Sequence, residues 1–181
     1  MATVAGAATT FVWGGISHVV LLKGIVCTRL SHEERSVSTL RPSLPGDGLY
    51  GFPRIDRRGN PTGEEQAAWE ARLRAGPTGM LIYHATGDAP VSPTKLSVQF
   101  LSAVLAAGMV SSWLSLAIAT YWRRIGLTTL LESFILFFII YIYCDLYGFP
   151  NVFLLAQGVD LIVGWSLAGA VIAKRMPPAR I

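Results

Sequence analysis

Runs of apolar residues alternate with one long polar stretch along this chain, and this pattern predicts its architecture. Four runs approach the roughly 20 residues that an α-helix needs to cross about 30 Å of hydrocarbon. They cover residues 4–27, 97–122, 128–147 and 152–173. We therefore expect a mainly α-helical integral membrane protein, built as a bundle of four transmembrane helices.

The segment between the first two runs, residues 28–96, has a different character. It holds eight of the eleven acidic residues and seven of the ten prolines. Capping-box patterns at Ser31 and Thr62 predict two short helices, and Gly76 followed by Pro77 ends the second. The stretches "PGDGLYGFP" and "GMLIYHATG" predict a short extended piece and a strand, which pair with each other or lie against the helices. We expect a small α+β cap.

Composition supports a membrane protein and argues against a nucleic-acid-binding protein. The 181 residues are 52% hydrophobic and 14% charged, whereas soluble domains run at about 25% charged. The net charge is +4. Basic residues do not alternate with aromatic ones in the pattern of a nucleic-acid-binding surface, so we expect no nucleic-acid partner.

Basic residues in the short loops predict the orientation. They lie between the second and third spans and in the tail, residues 174–181, but are absent from the loop at residues 148–151. Because short cytoplasmic loops are rich in Lys and Arg, both termini are expected in the cytoplasm and the cap outside it. Arg29, Arg35 and Arg41 oppose this, but they belong to a long loop, where the rule weakens.

Six polar side chains inside the predicted spans are the candidate functional residues: His18, Lys23, Glu132, Asp145, Gln157 and Asp160. At about 1.5 Å per residue, His18 and Asp160 lie at a comparable depth. Lys23 and Asp145 lie near the outer helix ends. One interpretation pairs His18 with Asp160 and Lys23 with Asp145 in a step that moves a proton or an ion.

The alternative interpretation is structural. Lys23 reaches the outer headgroups, Asp145 meets water, and Glu132 pairs with Arg124 or Arg123. We favour it for these three residues. For Asp160, a pairing with His18, Ser111 or Ser112 that fixes helix register is favoured over catalysis. The reason is a polar and small-residue stripe that points Asp160 into the bundle: Gln157, Asp160, Gly164 and Ala168.

Cofactor and metal sites are not favoured by the sequence. A haem between helices usually takes two histidines, and His18 is the only one in a predicted span. Gly14, four residues before His18, would let a pigment ring approach, but we do not favour this reading and expect no cofactor. The cap histidines and aspartates lack metal-ligand spacing. Cys27 and Cys144 both fall at outer helix ends, where one disulfide would fit if their Cα atoms approach within about 7 Å.

Three stretches carry a resemblance: "SHEERSVSTLRPSLPGDGLYGFP", "GPTGMLIYHATGDAP" and "LSVQFLSAVLAAGMVSSWLS". Together they resemble a family of small bacterial four-helix membrane proteins, most of which are described only as hypothetical. The likeness covers nearly the whole chain. It implies the four-helix architecture and a bacterial cytoplasmic (inner) membrane, but no activity and no functional residue.

The leading functional hypothesis is non-catalytic. Small-residue faces at Gly14 and Gly15 and at Gly164 and Ala168 favour an accessory, scaffolding or assembly subunit, which packs in the bilayer on another membrane protein or on its own copies. A second hypothesis is a small transporter or proton-linked component that uses His18, Asp160 and Lys23. A third is an enzyme that acts on a hydrophobic substrate at the outer face, with His84 and Asp88 as acid and base.

Overall fold

A computed structural model describes residues 1–21, 24–87, 89 and 91–177 of the chain. The fold is mainly helical. Its helices are α1 (Ala2–Ile16), α2 (Glu33–Leu40), α3 (Gly63–Ala75), α4 (Pro93–Leu116), α5 (Tyr121–Ile135), α6 (Tyr141–Tyr147) and α7 (Asn151–Arg175), and its strands are β1 (Gly48–Phe52) and β2 (Gly79–Tyr83). The chain divides into two compact units: a helical unit, Met1–Thr28 with Ala89–Ile181, and an inserted unit, Arg29–Asp88.

Three helices of the helical unit are long and apolar enough to cross a membrane. They are α4, the continuous helix Tyr121–Tyr147 that includes α5 and α6, and α7. Helix α1 is not among them. Its 15 residues reach about 22 Å, short of the roughly 30 Å of a hydrocarbon core. A fourth crossing at residues 4–27 stays a prediction, and Lys23 within it lies outside the described residues.

Two π-helical turns interrupt the helical unit. Ser17–Leu21 continues α1, and Leu136–Ile140 joins α5 to α6. A π-helical turn inserts one extra residue per turn and re-aims the side chains beside it, which is why such turns are frequent at functional sites. The first of these turns carries His18.

The boundary between the second and third spans differs from the sequence prediction. The sequence predicts that the second span continues to residue 122, but α4 ends at Leu116 because Ala117 is extended. Helix α5 then begins at Tyr121, with Thr120 at its N-cap. Arg123 and Arg124 therefore lie in the first turn of a helix and not in a loop. Thr120 is a typical N-cap residue, so the sequence does contain a signal for a helix that begins at Tyr121.

The helices of the helical unit pack in the spatial order α5, α7, α1, α4. Helix α7 contacts both α5 and α1, α1 also contacts α4, and α4 touches α5 only slightly. A small apolar core sits at the α1, α4 and α7 contact: Ala7, Ala107, Val110, Leu114 and Ile172. Each neighbouring pair in this row is antiparallel, as the residue contacts below show.

Glycines allow the close approach of α7 to its two neighbours. A Cβ at Gly164 would lie 2.6 Å from Cδ1 of Trp13 on α1, and one at Gly169 would lie 2.9 Å from Oγ1 of Thr128 on α5. At the other end of α1, a Cβ at Gly6 would meet Ile172 at 2.6 Å. These distances leave no room for a larger side chain at the three glycines. The predicted small-residue face of α7 therefore packs against other helices of the same chain.

The inserted unit contains a two-stranded antiparallel sheet and two helices. Strand β1 pairs with β2, with Leu49 opposite Ile82, so the two predicted extended pieces do pair. Helix α3 begins with the predicted capping box: Thr62 accepts a hydrogen bond from the Glu65 amide, and Glu65 accepts one from the Thr62 amide. It ends at Gly76, whose φ is +67°.

The capping box predicted at Ser31 is wrong. Helix α2 begins one residue later than that pattern requires, with His32 at its N-cap in a left-handed conformation and no side-chain cap. The Ser31 backbone oxygen instead accepts a hydrogen bond from Oγ of Ser36, at 3.3 Å. An exposed ion pair between Arg29 and Glu33, 3.0 Å long, supports the first turn.

The inserted unit has little interior. None of its described residues is buried, and the best-covered side chains lie on one face of the hairpin and on α3. The Trp69 indole donates a hydrogen bond to the Pro53 carbonyl at 3.1 Å, and Arg57 lies 5.5 Å from the Trp69 ring centre. Such contacts fix local geometry, but a unit without buried side chains gains little hydrophobic free energy of its own.

Candidate functional site

The structure brings together His18 and Asp160. Nδ1 of His18 lies 3.9 Å from Oδ2 of Asp160, and the two side chains are 56% and 17% exposed. This distance is within reach of an ion pair but exceeds the roughly 3.2 Å limit of a good hydrogen bond. The pair is formed by the π-helical turn after α1 and by the tenth residue of α7.

Trp13 fixes α7 beside this pair. Its indole Nε1 donates a hydrogen bond to the backbone oxygen of Asp160 at 3.1 Å. The same ring lies against Gly164, one turn further along α7. Sequence reasoning misses this role of Trp13. The available signal was Gly164 itself, four residues after Asp160, because glycine at that spacing allows a large ring to reach the helix backbone.

Asp160 is only partly satisfied. Its Oδ1 is buried without a hydrogen-bond partner, and so is Oγ of Ser111. The predicted alternative pairing of Asp160 with Ser111 is therefore absent. An unpaired buried polar group costs about 1–3 kcal/mol.

A second polar stripe lies on α5, where it faces α7. Arg124, Thr128 and Glu132 follow each other at four-residue spacing and are 6%, 0% and 3% exposed. Arg124 donates from Nη1 to the Pro177 carbonyl at 3.0 Å, while its Nε has no partner. The Thr128 hydroxyl donates to the Arg124 carbonyl at 2.9 Å. Sequence reasoning missed this stripe, although its spacing was visible.

The predicted ion pair of Glu132 with Arg124 or Arg123 is not formed. Among the described residues, the ion pairs involve other side chains. Eight residues of helix separate Arg124 from Glu132, which is about 12 Å along the axis. The contact that joins α5 to α7 near Glu132 is neutral: the hydroxyls of Thr129 and Ser166 are 2.9 Å apart.

The remaining predicted residues are dispersed. Asp145 is exposed on α6, and Gln157 is half-buried on α7; the predicted approach of Lys23 to Asp145 lies outside the described residues. A Cβ added at Gly14 would lie 3.8 Å from the side-chain amide nitrogen of Gln99. A Cβ added at Gly15 would meet nothing within 4 Å. Ala168 is fully buried. Cys27 and Cys144 are both free thiols.

In the inserted unit, His84 lies beside Asp47 and closes the open end of the hairpin. Nδ1 of His84 is 3.5 Å from Oδ2 of Asp47, and the Ala85 amide donates to Oδ1 at 2.7 Å. The Ala85 hydrogen bond, followed by the one from His84, lowers the pKa of Asp47 below 3.8. Asp88, the other residue of the enzyme hypothesis, lies outside the described residues.

An open apolar groove of about 400 Å³ runs along the outer side of α1 and α7. Its lining residues are Ala8, Thr9, Val12, Trp13, Ile16 and Leu167. Trp13 therefore has two environments: one edge of its ring binds the α7 backbone and another lines the groove. In the described part of the chain, no group of three or more His, Cys, Asp or Glu side chains is placed to hold a metal ion.

No known family model, curated protein or solved structure matches this chain. The resemblance to small bacterial four-helix membrane proteins therefore stays a prediction.

Proposed function

We propose that this protein is a non-catalytic accessory, scaffolding or assembly subunit of a bacterial cytoplasmic membrane, of the four-helix family that its sequence resembles. In this proposal it crosses the bilayer four times, with both termini in the cytoplasm and residues 28–96 outside it. It works without a cofactor and binds another membrane protein, or a second copy of itself, through the face formed by α1 and α7.

The fourth crossing is supported by the contacts of α1. This helix runs antiparallel to α7, from the approach of Gly6 to Ile172 up to the pairing of His18 with Asp160. It also runs antiparallel to α4, with the Phe11 and Phe100 rings 5.4 Å apart. A helix that lies beside two spanning helices over this length occupies the same depth of the bilayer.

The observation that carries the partner proposal is the exposed face of α1 at Ala8 and Gly15, beside the apolar groove. Ala8 and Gly15 are exposed and seven residues apart on α1, and a Cβ at Gly15 would meet nothing within 4 Å. Small residues on a membrane helix let another backbone approach closely, whereas those at Gly164 and Gly169 are already covered within the chain. The groove beside Ala8 is open and apolar, a surface along which another membrane helix can lie.

Site-specific crosslinking in the membrane tests the proposal. Cys27 and Cys144 are first replaced by serine, and a single cysteine is placed at Val12 in the groove or at Leu105 on α4. These positions are matched, since they are 60% and 59% exposed. A thiol-reactive photocrosslinker should give one discrete product of higher mass from Val12→Cys and none from Leu105→Cys. Gly15→Leu should remove that product, because it fills the approach surface.

Equal labelling of both positions, or no product from either, would contradict the proposal. The Gly15→Leu protein must still elute as the parent does in mild detergent, so that loss of the product reports the interface and not unfolding. Mass spectrometry of the product decides between a second copy and a different membrane protein.

The second candidate function is a small transporter or proton-linked component. The observation in its favour is the half-exposed His18 beside an incompletely satisfied Asp160, since ionisable residues inside membrane segments commonly mark ion or proton pathways. The enzyme hypothesis has weaker support, because His84 lies beside Asp47 at the open end of the hairpin, where the pair has a structural use.

A further inference from the structure

Arg124 on α5 is a cation that the protein itself covers. It is 6% exposed, and the atoms that cover it belong to the chain, so it stays buried whether or not a bilayer surrounds the helices. An arginine keeps its positive charge when it is buried, because its guanidinium does not deprotonate in proteins. A buried charge costs free energy unless an opposite charge or hydrogen-bond acceptors compensate it.

The described part of the chain gives Arg124 one acceptor and no counter-charge. Its Nη1 donates a hydrogen bond to the Pro177 carbonyl at 3.0 Å, whereas its Nε is buried without a partner. A guanidinium has more N–H donors than one carbonyl can accept. Among the described residues, Arg124 takes part in none of the ion pairs. Its charge is thus left for another group to neutralise.

The acidic side chains of the helical unit lie far from Arg124. They are Glu132, Asp145 and Asp160. Glu132 is about 12 Å further along the same helix, and the other two lie further still towards the opposite end of the unit. The remaining eight acidic side chains belong to the inserted unit, which joins the helical unit after residue 28 and before residue 89, at the opposite ends of α1 and α4.

Further positive charges lie at the same end as Arg124. The hydrogen bond to Pro177, two residues past the end of α7, brings the start of α5 and the end of α7 to one level. Arg123 precedes Arg124 on α5, and Lys174 and Arg175 form the last turn of α7. We call these four residues the basic end. Residues 178–181, outside the described part, contain one more arginine and no acidic side chain.

Aromatic residues indicate the depth of the basic end in a bilayer. Tyr121 and Trp122 begin α5, with ring centroids 5.1 Å apart, and such residues are enriched at the level of lipid headgroups. Arg124 follows within one turn, and its guanidinium reaches back to the Pro177 carbonyl beyond the end of α7. The guanidinium therefore lies at the depth of lipid phosphates.

We propose that the basic end binds the phosphate of an anionic phospholipid, with Arg124 as the main contact and the other three cations as the groups that attract it. A phosphodiester supplies both the negative charge and the acceptor oxygens that Arg124 lacks. Basic pockets between membrane helices bind anionic headgroups in this way. A zwitterionic lipid brings a positive charge of its own, which the basic end repels. The inference does not depend on partner binding at the groove.

Native mass spectrometry of the full chain in detergent tests the site. A neutral linker and tag follow residue 181, so that the terminal carboxylate is remote from Arg124. Dioleoyl phosphatidylglycerol should give one retained lipid per chain and bind about tenfold more tightly than dioleoyl phosphatidylcholine. Arg124→Gln should remove this preference. Millimolar inorganic phosphate should not displace the lipid, because it lacks the acyl chains that pack against the helices.

Lys95→Gln is the control for net charge. It removes the same charge as Arg124→Gln, but at the start of α4, at the other end of the helical unit, and it should keep the preference. An equal loss in both variants, equal binding of the two lipids by the parent, or displacement of the lipid by inorganic phosphate would each overturn the proposal.

A second variant is independent of whether Arg124→Gln folds. Arg123→Gln combined with Lys174→Gln and Arg175→Gln keeps the buried Arg124 and changes three exposed side chains. Affinity for phosphatidylglycerol should fall roughly fivefold for each charge removed, and the lipid should raise the thermal unfolding temperature of this variant less than that of the parent. Unchanged lipid affinity in the triple variant would contradict binding at the basic end.

Discussion

At the scale of single residues, one aromatic side chain fixes the contact between α1 and α7. Trp13 hydrogen-bonds the α7 backbone at Asp160 and lies against Gly164, so one side chain fixes both the separation and the register of two helices. In lipid, where apolar burial does not drive helix association, such packing and hydrogen bonding carry the stability. Gly164 is therefore the most sensitive position near the pair.

Gly164→Ala should destabilise the protein by about 1–3 kcal/mol, because the new Cβ would lie 2.6 Å from Trp13. Thermal unfolding in detergent, followed by circular dichroism, measures the effect. Gly15→Ala is the matched control: its Cβ meets nothing within 4 Å, and the change should be neutral or slightly stabilising, as for alanine in a helix. Equal losses in both variants would disprove the close packing of Trp13.

Asp47 should make the inserted unit acid-sensitive. The Ala85 amide and His84 lower its folded pKa below 3.8, so its contribution to stability is complete above the unfolded pKa and is lost as the pH falls through the folded one. The carboxyl carbon chemical shift of Asp47 should titrate below 3.8. Asp47→Ala should speed hydrogen exchange of the Ala85 amide at neutral pH, and Asp47→Asn should do so less. An unchanged Ala85 amide in Asp47→Ala would show that the hydrogen bond is absent.

At the scale of elements, the sequence is informative where the signal is local. The capping box of α3, its end at Gly76 and the pairing of β1 with β2 all follow from neighbouring residues. The same reasoning fails at Ser31, which also begins a Ser/Thr-x-x-Glu pattern but does not cap α2. His32 in a left-handed conformation moves the helix start, and the pattern alone does not reveal that choice.

The two capping patterns provide a matched comparison. Thr62→Ala removes a cap and should destabilise α3 by about 1 kcal/mol, whereas Ser31→Ala should leave α2 unchanged because no helix amide hydrogen-bonds its side chain. Hydrogen-exchange mass spectrometry on peptides from the two helices measures this within the full chain. A faster exchange of α2 in Ser31→Ala would mean that Ser31 caps it after all.

At the scale of the whole molecule, sequence reasoning finds the three long apolar helices and the small sheet, since composition and length determine them. Counting residues along the helices correctly places His18 at the depth of Asp160. It does not reveal that Trp13 contacts α7, or that the stripe of Arg124, Thr128 and Glu132 faces α7. Those depend on the rotation of α1 and α5 about their axes.

The number of crossings is open to a direct experiment. In a background without native cysteines, a cysteine at Asn60 in the inserted unit and one at Arg175 at the end of α7 are labelled in intact cells by a membrane-impermeant maleimide. With the proposed orientation, Asn60→Cys should react at once and Arg175→Cys only after the cells are broken. A cysteine at Ala2 should behave as Arg175→Cys does. Labelling of Ala2→Cys in intact cells would place the two termini on opposite sides and remove the fourth crossing.

The spatial order α5, α7, α1, α4 has a consequence for biosynthesis. The chain emerges as α1, α4, α5 and then α7, yet α7 is the neighbour that α1 and α5 share, and α4 touches α5 only slightly. Until α7 is inserted, α5 carries its buried Arg124, Thr128 and Glu132 without the surface that covers them. The nascent protein is thus a helix pair and a separate apolar helix with an uncovered polar stripe, and the last helix to leave the ribosome, α7, is the one that joins them.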